Sequence, residues 1–212
     1  MKILAGSIVA TLLLVLSGAR VGRAPRADVR GDDSVKPPAD ENLGASQSQA
    51  AREPLRLPLV EPRVVVSKGA RKLELYSGGR VVRTYRVGLG LSPVEDKERA
   101  GDRRTPEGDF YVCVKNAKSN FYLSLGLSYP NREDAERGLR DRLITHTQYE
   151  RILRSLSKTL RPPWDTPLGG EIFIHGGGSS SDWTWGCVAL ENEDIKELFD
   201  ALPLKTPVRI EH

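Results

Sequence analysis

The sequence predicts a mainly β fold that also contains α-helices. Between residues 63 and 115, short runs rich in Val, Leu and Tyr recur, with glycine and proline at their ends. Gly78 and Gly79 separate two of these runs, which is the pattern of a β-hairpin. Two later segments repeat their apolar residues every three to four positions, which is the period of an amphipathic helix. At 212 residues the chain is expected to hold one folded domain with an N-terminal extension.

The first predicted strands follow one another from Arg63. RVVVSK is a short β-branched run, and KLELYSGGRVVRTYRVGLG alternates apolar and polar residues on both sides of the glycine pair. A turn around Pro106 and Gly108 then precedes a strand that is predicted over residues 109–115. These strands are expected to be mostly antiparallel.

The remaining strands lie in the C-terminal part of the chain. GEIFIH predicts a strand whose successive side chains alternate between two faces. The pairs that share a face are Ile172 with Ile174 and Phe173 with His175. PVRIEH is predicted to close the chain as a final strand.

Two helices are predicted from apolar periodicity. TQYERILRSLSKTL places four apolar residues on one stripe, namely Ile152, Leu153, Leu156 and Leu160. ENEDIKELFDALP shows the spacing i, i+3, i+4 and i+7 with Ile195, Leu198, Phe199 and Leu202. Asn192 is the expected N-cap of this second helix, and Pro203 its stop. A shorter helix is expected within residues 132–142, so a helical insertion precedes the GEIFIH strand.

The first 24 residues have the pattern of a secretory signal peptide. An apolar run of roughly 14 residues follows Lys2 and ends in small residues. This run is shorter than the roughly 20 residues that span a bilayer. An uncleaved N-terminal anchor stays open as the alternative, because three positions suit cleavage: Ala19, Ala24 and Ala27. The protein is expected to be exported to the periplasm or the cell wall.

Residues 25–60 are predicted to form a disordered linker, and residues 61–212 the folded domain. Pro, Asp, Ser, Ala and Gln dominate the linker, and no apolar period persists in it. The whole chain has 39% hydrophobic and 28% charged residues, which is typical of a globular protein. Its net charge of +4 forms no dense basic block, so nucleic-acid binding receives little support.

A histidine and a cysteine beside glycines form the candidate reactive pair. His175 ends a predicted strand, and Gly176 and the glycines after it let the backbone turn sharply, which suits a well-held general base. Cys187 follows Gly186, so a carbonyl group can approach its thiol while the Gly186 and Cys187 amides face an oxyanion. A thiol with a pKa of about 8.5 needs a neighbouring imidazole to form a thiolate at neutral pH.

Other interpretations of these residues stay open on the sequence alone. In an oxidising compartment, Cys113 and Cys187 could pair as a disulfide. Trp183 and Trp185 suit a hydrophobic core as well as the walls of a groove. A zinc site is disfavoured, because the three histidines and two cysteines include no close C-x-x-C or H-x-x-x-H pair. No metal or organic cofactor is implied.

HGGG followed by DWTWGCVAL resembles the signature of the L,D-transpeptidase catalytic domain, a cysteine family that acts on peptidoglycan. Three upstream segments resemble the family in the same order, namely KLELYSGGRVVRTYRVGLG, GDRRTPEGDFYV and SNFYLSLGLSYPN. The resemblance covers about residues 62–211 and concerns the branch with a DWT-x-GC-x-A motif. It implies an L,D-transpeptidase-like β-sandwich or barrel with a helical insertion and a helix after the catalytic cysteine.

The resemblance also implies roles for individual residues. Cys187 would be the nucleophile and His175 its base, while the Gly176 carbonyl would orient the imidazole. The amides of Gly186 and Cys187 would stabilise the oxyanion. Cys187 would attack the stem peptide after its third residue, expel the terminal D-alanine and form a thioester, which an amine from a second stem or a lipoprotein would resolve. The three residues that precede the Gly-Cys pair are candidate substrate contacts, namely Trp183, Thr184 and Trp185.

The sequence departs from the common family pattern at three points. Common members have Ser-His before the Gly-Cys pair, where this chain has Thr184 and Trp185. They also have an arginine two residues after the cysteine, where this chain has Ala189. The spacing from His175 to Cys187 is shorter as well. Without the arginine, water is an alternative acceptor, which would make the protein an L,D-hydrolase that cuts crosslinks or releases a wall-bound lipoprotein.

Three functions follow as hypotheses. The first is an exported cysteine L,D-transpeptidase, and the second is an L,D-hydrolase (amidase) with the same thiol. Both imply a part in peptidoglycan biosynthesis, cell-wall biogenesis and cell shape, with stem peptides and a wall-attached lipoprotein as partners. The third is an inactive wall-binding module in which Cys113 and Cys187 are paired. None of the three implies a nucleic-acid partner, and membrane contact follows only from an uncleaved N-terminal segment.

Overall fold

The computed structural model describes residues 53–212 of the chain. The predicted signal peptide and most of the predicted linker lie outside these residues. The elements follow in the order β1 (Arg63–Ser67), β2 (Lys72–Ser77), β3 (Arg80–Arg86), β4 (Gly108–Ser119), β5 (Tyr122–Leu127), α1 (Arg132–Arg140), α2 (His146–Ser157), β6 (Phe173–His175), β7 (Val188–Ala189), α3 (Asn192–Ala201) and β8 (Pro207–Glu211). Among these described residues, no helix combines the length and apolar character needed to cross a membrane.

The eight strands form one sheet in the order β3-β2-β1-β8-β4-β5-β6-β7. β2 and β3 make the predicted hairpin around Gly78 and Gly79, which both adopt the positive φ that a tight turn requires. The C-terminal strand β8 lies inside the sheet, parallel to β1 and antiparallel to β4. The first and last strands of the fold, β1 and β8, are thus paired with each other in the interior of the sheet.

The two outer edges of the sheet approach each other and curl it towards a barrel. Gly88, just after β3, exchanges two backbone hydrogen bonds with Ala189 of β7, at 2.9 and 2.8 Å. Gly90 and Thr184 form a second isolated bridge. A side chain at Gly88 would overlap the carbonyl oxygen of Ser181, so this close approach needs glycine. The mainly β, barrel-like fold with helices is confirmed.

The main hydrophobic core is built from alternate residues of the strands. In β2, Leu73 and Leu75 are fully buried, whereas the residues between and around them are partly exposed. Ile195 and Leu198 of α3 are also fully buried in this core, as predicted. Burying one such side chain contributes on the order of 2 kcal/mol, so packing against the sheet is what holds α3 in place.

The helices between β5 and β6 form a small cluster of their own. α1 and α2 each begin with a capping box, made by Asn131 and Thr145. Their contact buries Ala135, Ile144, Ile152 and Leu168. Of the predicted α2 stripe, only Ile152 is fully buried, and Leu160 lies beyond the helix with 55% of its surface exposed. The prediction for Leu160 is wrong because Thr159 adopts a positive φ, which ends the helical path.

The start of α3 differs from the prediction. Its N-cap is Glu191 and not Asn192, and no side chain caps it. The side chains of Glu191 and Asn192 instead bind backbone amides of the loop that follows His175. Asn192 Oδ1 accepts from the Gly177 amide at 3.0 Å, and Glu191 Oε1 accepts from the Ser179 amide at 2.8 Å. The predicted Asn192 cap is therefore wrong, because its side chain holds the glycine loop that follows His175.

The last residues of the predicted linker pack against the folded domain. Leu55 and Leu59 lie against the main core. The Val60 amide donates to Ser77 Oγ at 2.9 Å, and the Gly78 amide donates to the Val60 carbonyl at 2.6 Å. These contacts extend the packed part of the chain from residue 61 back to residue 55.

Candidate active site

His175 ends β6 and Cys187 immediately precedes the neighbouring strand β7, and both residues line the same cavity. β6 and β7 pair in parallel, with Ile174 opposite Val188. Cys187, the residue just before β7, therefore lies beside Phe173, the first residue of β6. Because side chains alternate along a strand, Phe173 and His175 share one face, and Cys187 shares it with them. Parallel pairing thus brings together two residues that the loop between them separates in sequence.

The cavity has a volume of about 320 Å³ and lies between β6 and the tip of the β4–β5 hairpin. The hairpin lines it with Asn116, Lys118, Ser119, Asn120, Phe121 and Ser124. Glu171, just before β6, lines the opposite part together with the reactive pair. Amide, hydroxyl and charged groups share this lining with a similar amount of apolar surface, a combination that suits a peptide.

The imidazole of His175 is held by the carbonyl of the next residue. Its Nδ1 lies 2.6 Å from the Gly176 carbonyl oxygen. Since a carbonyl only accepts, Nδ1 carries the proton of the neutral ring, and Nε2 keeps a lone pair that can take up a proton. The side chain is buried, and this burial lowers the pKa of His175, against the opposing effect of the Gly176 hydrogen bond. The arrangement is that of a neutral, oriented base.

Two aromatic rings fix the plane of this imidazole. Phe121, at the hairpin tip, stacks on His175 with the ring centroids 4.6 Å apart and 26° between the planes. Trp183 meets the imidazole edge-on at 5.5 Å and 71°. Trp183 Nε1 donates to the Gly178 carbonyl at 3.0 Å, which holds the indole in place. Trp183, a candidate substrate contact, thus packs against the histidine.

The Cys187 thiol is only weakly hydrogen-bonded. Sγ accepts from the Phe173 amide at 3.4 Å and donates to the Glu171 carbonyl at 3.5 Å. Burial raises the pKa of the Cys187 thiol to about 11, and the Phe173 amide offsets this only in part. The resting pair is therefore a neutral thiol and a neutral imidazole.

Both cysteines are free thiols. Cys113 lies on β4, and it is not among the residues that line the cavity. Burial raises the pKa of the Cys113 thiol to about 11, so this thiol is not activated either. The inactive module with a Cys113–Cys187 disulfide receives no support from this arrangement. Within residues 53–212, no group of His, Cys, Asp and Glu side chains is arranged to hold a metal ion.

The turn before Cys187 is built around the hydroxyl of Thr184. Thr184 Oγ1 accepts from the Gly186 amide at 3.1 Å and donates to the Cys187 carbonyl at 2.8 Å. The Gly186 amide, predicted to face an oxyanion, is thus engaged inside the turn. Gly186 has a φ of +124°, and a side chain there would meet the Arg104 carbonyl oxygen at 2.6 Å, so the turn needs glycine. Thr184 is buried and shapes this turn without lining the cavity.

The loop that precedes this turn is anchored at Asp182. Its carboxylate accepts from Arg71 Nη2 at 2.7 Å and from the Leu89 amide at 2.9 Å. The amides of Trp183 and Thr184 both donate to the Leu89 carbonyl at 3.1 Å. The DWT part of the motif therefore ties the loop to the segment that follows β3.

Trp185 has surroundings unlike those of Trp183. It does not line the cavity, and 65% of its surface is exposed. The guanidinium carbon of Arg103 lies 4.7 Å from the centroid of its ring. Of the three candidate substrate contacts, Trp185 is thus the one at the surface.

Sequence reasoning does not find Phe121 or Arg103 as neighbours of the site. Phe121 has a recognisable signal, since it is an aromatic residue at the tip of a hairpin, where polar residues are usual. Arg103 has no such signal, because the chain contains many arginines and the segment around Arg103 shows no periodicity. Both reach the site through tertiary pairing of segments that are distant in the chain.

The chain matches one family model, described as YkuD, L,D-transpeptidase catalytic domain, over residues 61–210. This match covers more than half of the chain and contains every candidate site residue. No curated protein matches the sequence.

Among solved structures, the chain is similar to the K307A mutant of the helical cell shape determining protein Pgp2 from Campylobacter jejuni. The identity is 22% and the TM-score 0.51, over 71% of this chain and 47% of that chain. It is also similar to Bd1075 of Bdellovibrio bacteriovorus, with 23% identity and a TM-score of 0.46 over 72% and 48% of the two chains. It is similar as well to an L,D-transpeptidase of Xylanimonas cellulosilytica. There the identity is 21% and the TM-score 0.42, over 79% of this chain and 70% of that chain. The chain spans about half the length of Pgp2, and the likeness to it concerns the fold.

Proposed function

The chain belongs to the L,D-transpeptidase catalytic-domain family, and from this we propose that it is a cysteine L,D-transpeptidase acting on peptidoglycan stem peptides. Within this proposal Cys187 is the nucleophile, His175 the general base and the Gly176 carbonyl the group that orients the base.

One observation carries the proposal: His175 at the end of β6 and Cys187 just before β7 line one cavity, and the Gly176 carbonyl accepts the proton of His175 Nδ1. In the first step, Nε2 takes the thiol proton while sulfur attacks the carbonyl carbon of the third stem residue. The tetrahedral intermediate then breaks its carbon–nitrogen bond. The imidazolium returns the proton to the leaving D-alanine amine, and the third residue remains on Cys187 as a thioester.

The base is proposed to act during the attack, and not through a preformed thiolate–imidazolium pair. Burial raises the pKa of Cys187 and lowers that of His175, so both shifts favour the neutral forms. Substrate that displaces water from the cavity would meet an imidazole that is already oriented, and the thiol proton would turn from the Glu171 carbonyl to Nε2 as sulfur attacks.

The amide of Cys187 is the proposed oxyanion donor. Gly186 is proposed to act through the shape of the turn, because its own amide is bonded to Thr184 Oγ1. The same hydroxyl holds the Cys187 carbonyl, so Thr184 fixes the peptide unit before Gly186 and the one after Cys187, which lie on either side of the Cys187 amide.

L,D-hydrolysis is the second candidate function, and one observation favours it. Ala189 is fully buried and uncharged at the position where common family members have an arginine. If the missing cation serves the amine acceptor in those members, water competes better for the thioester here. The chemistry at Cys187 is the same in both cases, and only the second step differs.

The proposal places the protein outside the cytoplasm. Residues 1–24 would act as signal peptide or anchor, residues 25–60 as a tether, and residues 61–212 as the catalytic domain. Peptidoglycan stems, and a wall-attached lipoprotein as a further acceptor, would be met in the periplasm or at the cell wall.

Intact-mass spectrometry after exposure to a carbapenem tests the proposed nucleophile. The strained lactam is an acyl donor, so a mass increase equal to one carbapenem is expected on the wild type and on Cys113→Ala. Cys187→Ala should stay unmodified. A wild-type protein that acquires no adduct, or an adduct that persists in Cys187→Ala, would contradict the proposal.

Incubation with a stem tetrapeptide, with and without an added amine acceptor, separates the two second steps. A transpeptidase gives a product in which the amine replaces D-alanine, and a hydrolase gives the tripeptide alone. Cys187→Ala is the control that removes both products.

A further inference from the structure

Trp185 is exposed although its backbone is tightly held. At 65% it is the most exposed of the large apolar side chains within residues 53–212. Its neighbour Thr184 is only 3% exposed, and its carbonyl accepts from the Leu91 amide at 3.0 Å. On the other side, Gly186 is fixed by its bond to Thr184 Oγ1. A rigid backbone that presents an indole to solvent is the arrangement of a contact surface, and not that of a mobile loop.

Arg103 covers part of this indole, and it has no anionic partner among residues 53–212. Its guanidinium stacks 4.7 Å from the ring centroid. No ion pair of Arg103 occurs in the part of the chain that the structure describes, whereas the adjacent Arg104 pairs with Glu95 and Glu98. The cationic donors of Arg103 are therefore left available to an external carboxylate.

This pair lies next to the nucleophile. Trp185 precedes Cys187 by two residues, so their Cα atoms are at most about 7 Å apart. The loop that carries Arg103 touches the same turn, because the Arg104 carbonyl oxygen faces Gly186. The Ser92 amide also donates to the Arg103 carbonyl at 3.0 Å, which fixes the loop there. A group bound on Trp185 and Arg103 would thus lie next to the turn that carries the thioester.

We propose that Trp185 and Arg103 form an acceptor platform, which binds an amine whose neighbouring carbon bears a carboxylate. Arg103 pairs with the carboxylate, and the indole of Trp185 packs against the aliphatic part of the acceptor. The proposal rests on the proposed function, since it concerns the second step at Cys187. It names two specificity-determining residues and the charge that they select in the acceptor.

In that step the acceptor nitrogen forms a bond to the thioester carbon, and the carbon–sulfur bond breaks. The proton that the nitrogen loses passes through His175 to the departing sulfur, which restores the neutral thiol. No oxidant, metal or further reactant is needed. Water attacks the thioester by the same route and gives the free acid. The platform therefore determines the ratio of aminolysis to hydrolysis of the thioester.

The test compares two acceptors that differ only in the carboxylate, D-methionine and D-methioninamide. Each is added at increasing concentration to the full-length enzyme with one stem tetrapeptide donor, and aminolysis and hydrolysis products are quantified. Formation of the acyl-enzyme by the wild type is established first. Because both acceptors meet the same thioester, the ratio of their aminolysis rates cancels any change in the donor step.

The decisive variant is Arg103→Ala. We expect it to lower the ratio of D-methionine to D-methioninamide aminolysis by about tenfold relative to the wild type, mainly through a higher KM for D-methionine. Comparing variant with wild type removes the difference in amine basicity between the two acceptors. Arg63→Ala is the matched control, since Arg63 stacks on Tyr76 at 3.6 Å in β1 and β2, away from the cavity, and should leave the ratio unchanged.

Trp185→Ala should raise KM for both acceptors by similar factors, because packing on the ring does not depend on the carboxylate. Trp185→Phe should restore most of the affinity. An unchanged ratio in Arg103→Ala, or unchanged acceptor KM values in Trp185→Ala, would overturn the platform while leaving the role of Cys187 intact. A wild type that forms the acyl-enzyme but gives only hydrolysis with both acceptors also overturns it. A wild type without any acyl-enzyme overturns the proposed function itself.

Discussion

The ring of Phe121 lies nearly parallel to the imidazole of His175, 4.6 Å away between centroids. The contact arises because β5 pairs with β6, with Ser124 opposite His175, so the hairpin tip that precedes β5 folds over the end of β6. A phenyl ring in this place both excludes water from the imidazole and restricts its rotation. The base is thus tuned by a residue that only the tertiary fold supplies.

Phe121→Ala is expected to raise the pKa of His175 towards its ordinary value, because burial is the main cause of its lowering. The base works only when neutral, so the acid limb of the pH–rate profile should move to higher pH. The measurement is the rate of carbapenem acylation as a function of pH. Tyr122→Ala is the control, since Tyr122 is adjacent and equally exposed at 45%. Identical acid limbs in Phe121→Ala and the wild type would contradict the tuning.

The substrate-free thiol is expected to react slowly at neutral pH. With a pKa of about 11 for Cys187, roughly one molecule in ten thousand carries the thiolate at pH 7. Alkylation of Cys187 by iodoacetamide should therefore rise about tenfold per pH unit between pH 6 and 9. The background is Cys113→Ala, so that only one thiol is counted. A plateau near neutrality would reveal a thiolate–imidazolium pair in the resting enzyme.

Gly186→Ala is expected to destabilise the fold by about 2–4 kcal/mol, because it adds a strained positive φ and a clash with the Arg104 carbonyl. Gly69→Ala is the matched control. Its added methyl would find its nearest neighbour at 3.8 Å, an ordinary contact, and should cost less than about 0.5 kcal/mol. Urea unfolding of both variants gives the comparison. Equal midpoints would mean that the turn tolerates a side chain.

Thr184→Val keeps the shape of the side chain and removes the hydroxyl that serves Gly186 and Cys187. The expected loss is about 2–3 kcal/mol of unfolding free energy, since a buried amide and a partly buried carbonyl each lose a partner. Acylation of Cys187 should slow as well, because the turn no longer fixes the amide proposed to face the oxyanion. Thr184→Ser retains the hydroxyl and should recover both properties. A fully stable and reactive Thr184→Val would show that the hydroxyl is dispensable.

Most of the strands and the reactive pair can be predicted from the sequence because their signals are local, whereas β5 and the two-residue β7 are not predicted. Alternating residues on either side of Gly78 and Gly79 place the β2–β3 hairpin, and the positive φ of both glycines explains why they are there. His175 and Cys187 stand out because each adjoins glycine in an otherwise β-rich segment. Such features depend on a few consecutive residues, so periodicity and composition are enough.

The interior of the site was not accessible in the same way. Asn192 has the ideal character of a helix cap, yet its side chain binds Gly177. The Gly186 amide, an obvious oxyanion donor beside Cys187, is held by Thr184. In both cases a polar side chain has two suitable partners, and the choice between them is made by tertiary packing, which the sequence pattern does not encode.

The bridge between Gly88 and Ala189 means that reactivity is a property of the whole barrel. β7 has two residues, so it depends on β6 on one side and on Gly88 on the other for its backbone partners. The first of these partners lies shortly before β7 in the chain, and the second comes from near the start of the fold. Closing so distant a contact is entropically costly and comes late in folding. A clipped chain that begins after Gly88 would carry both His175 and Cys187 and still be chemically silent.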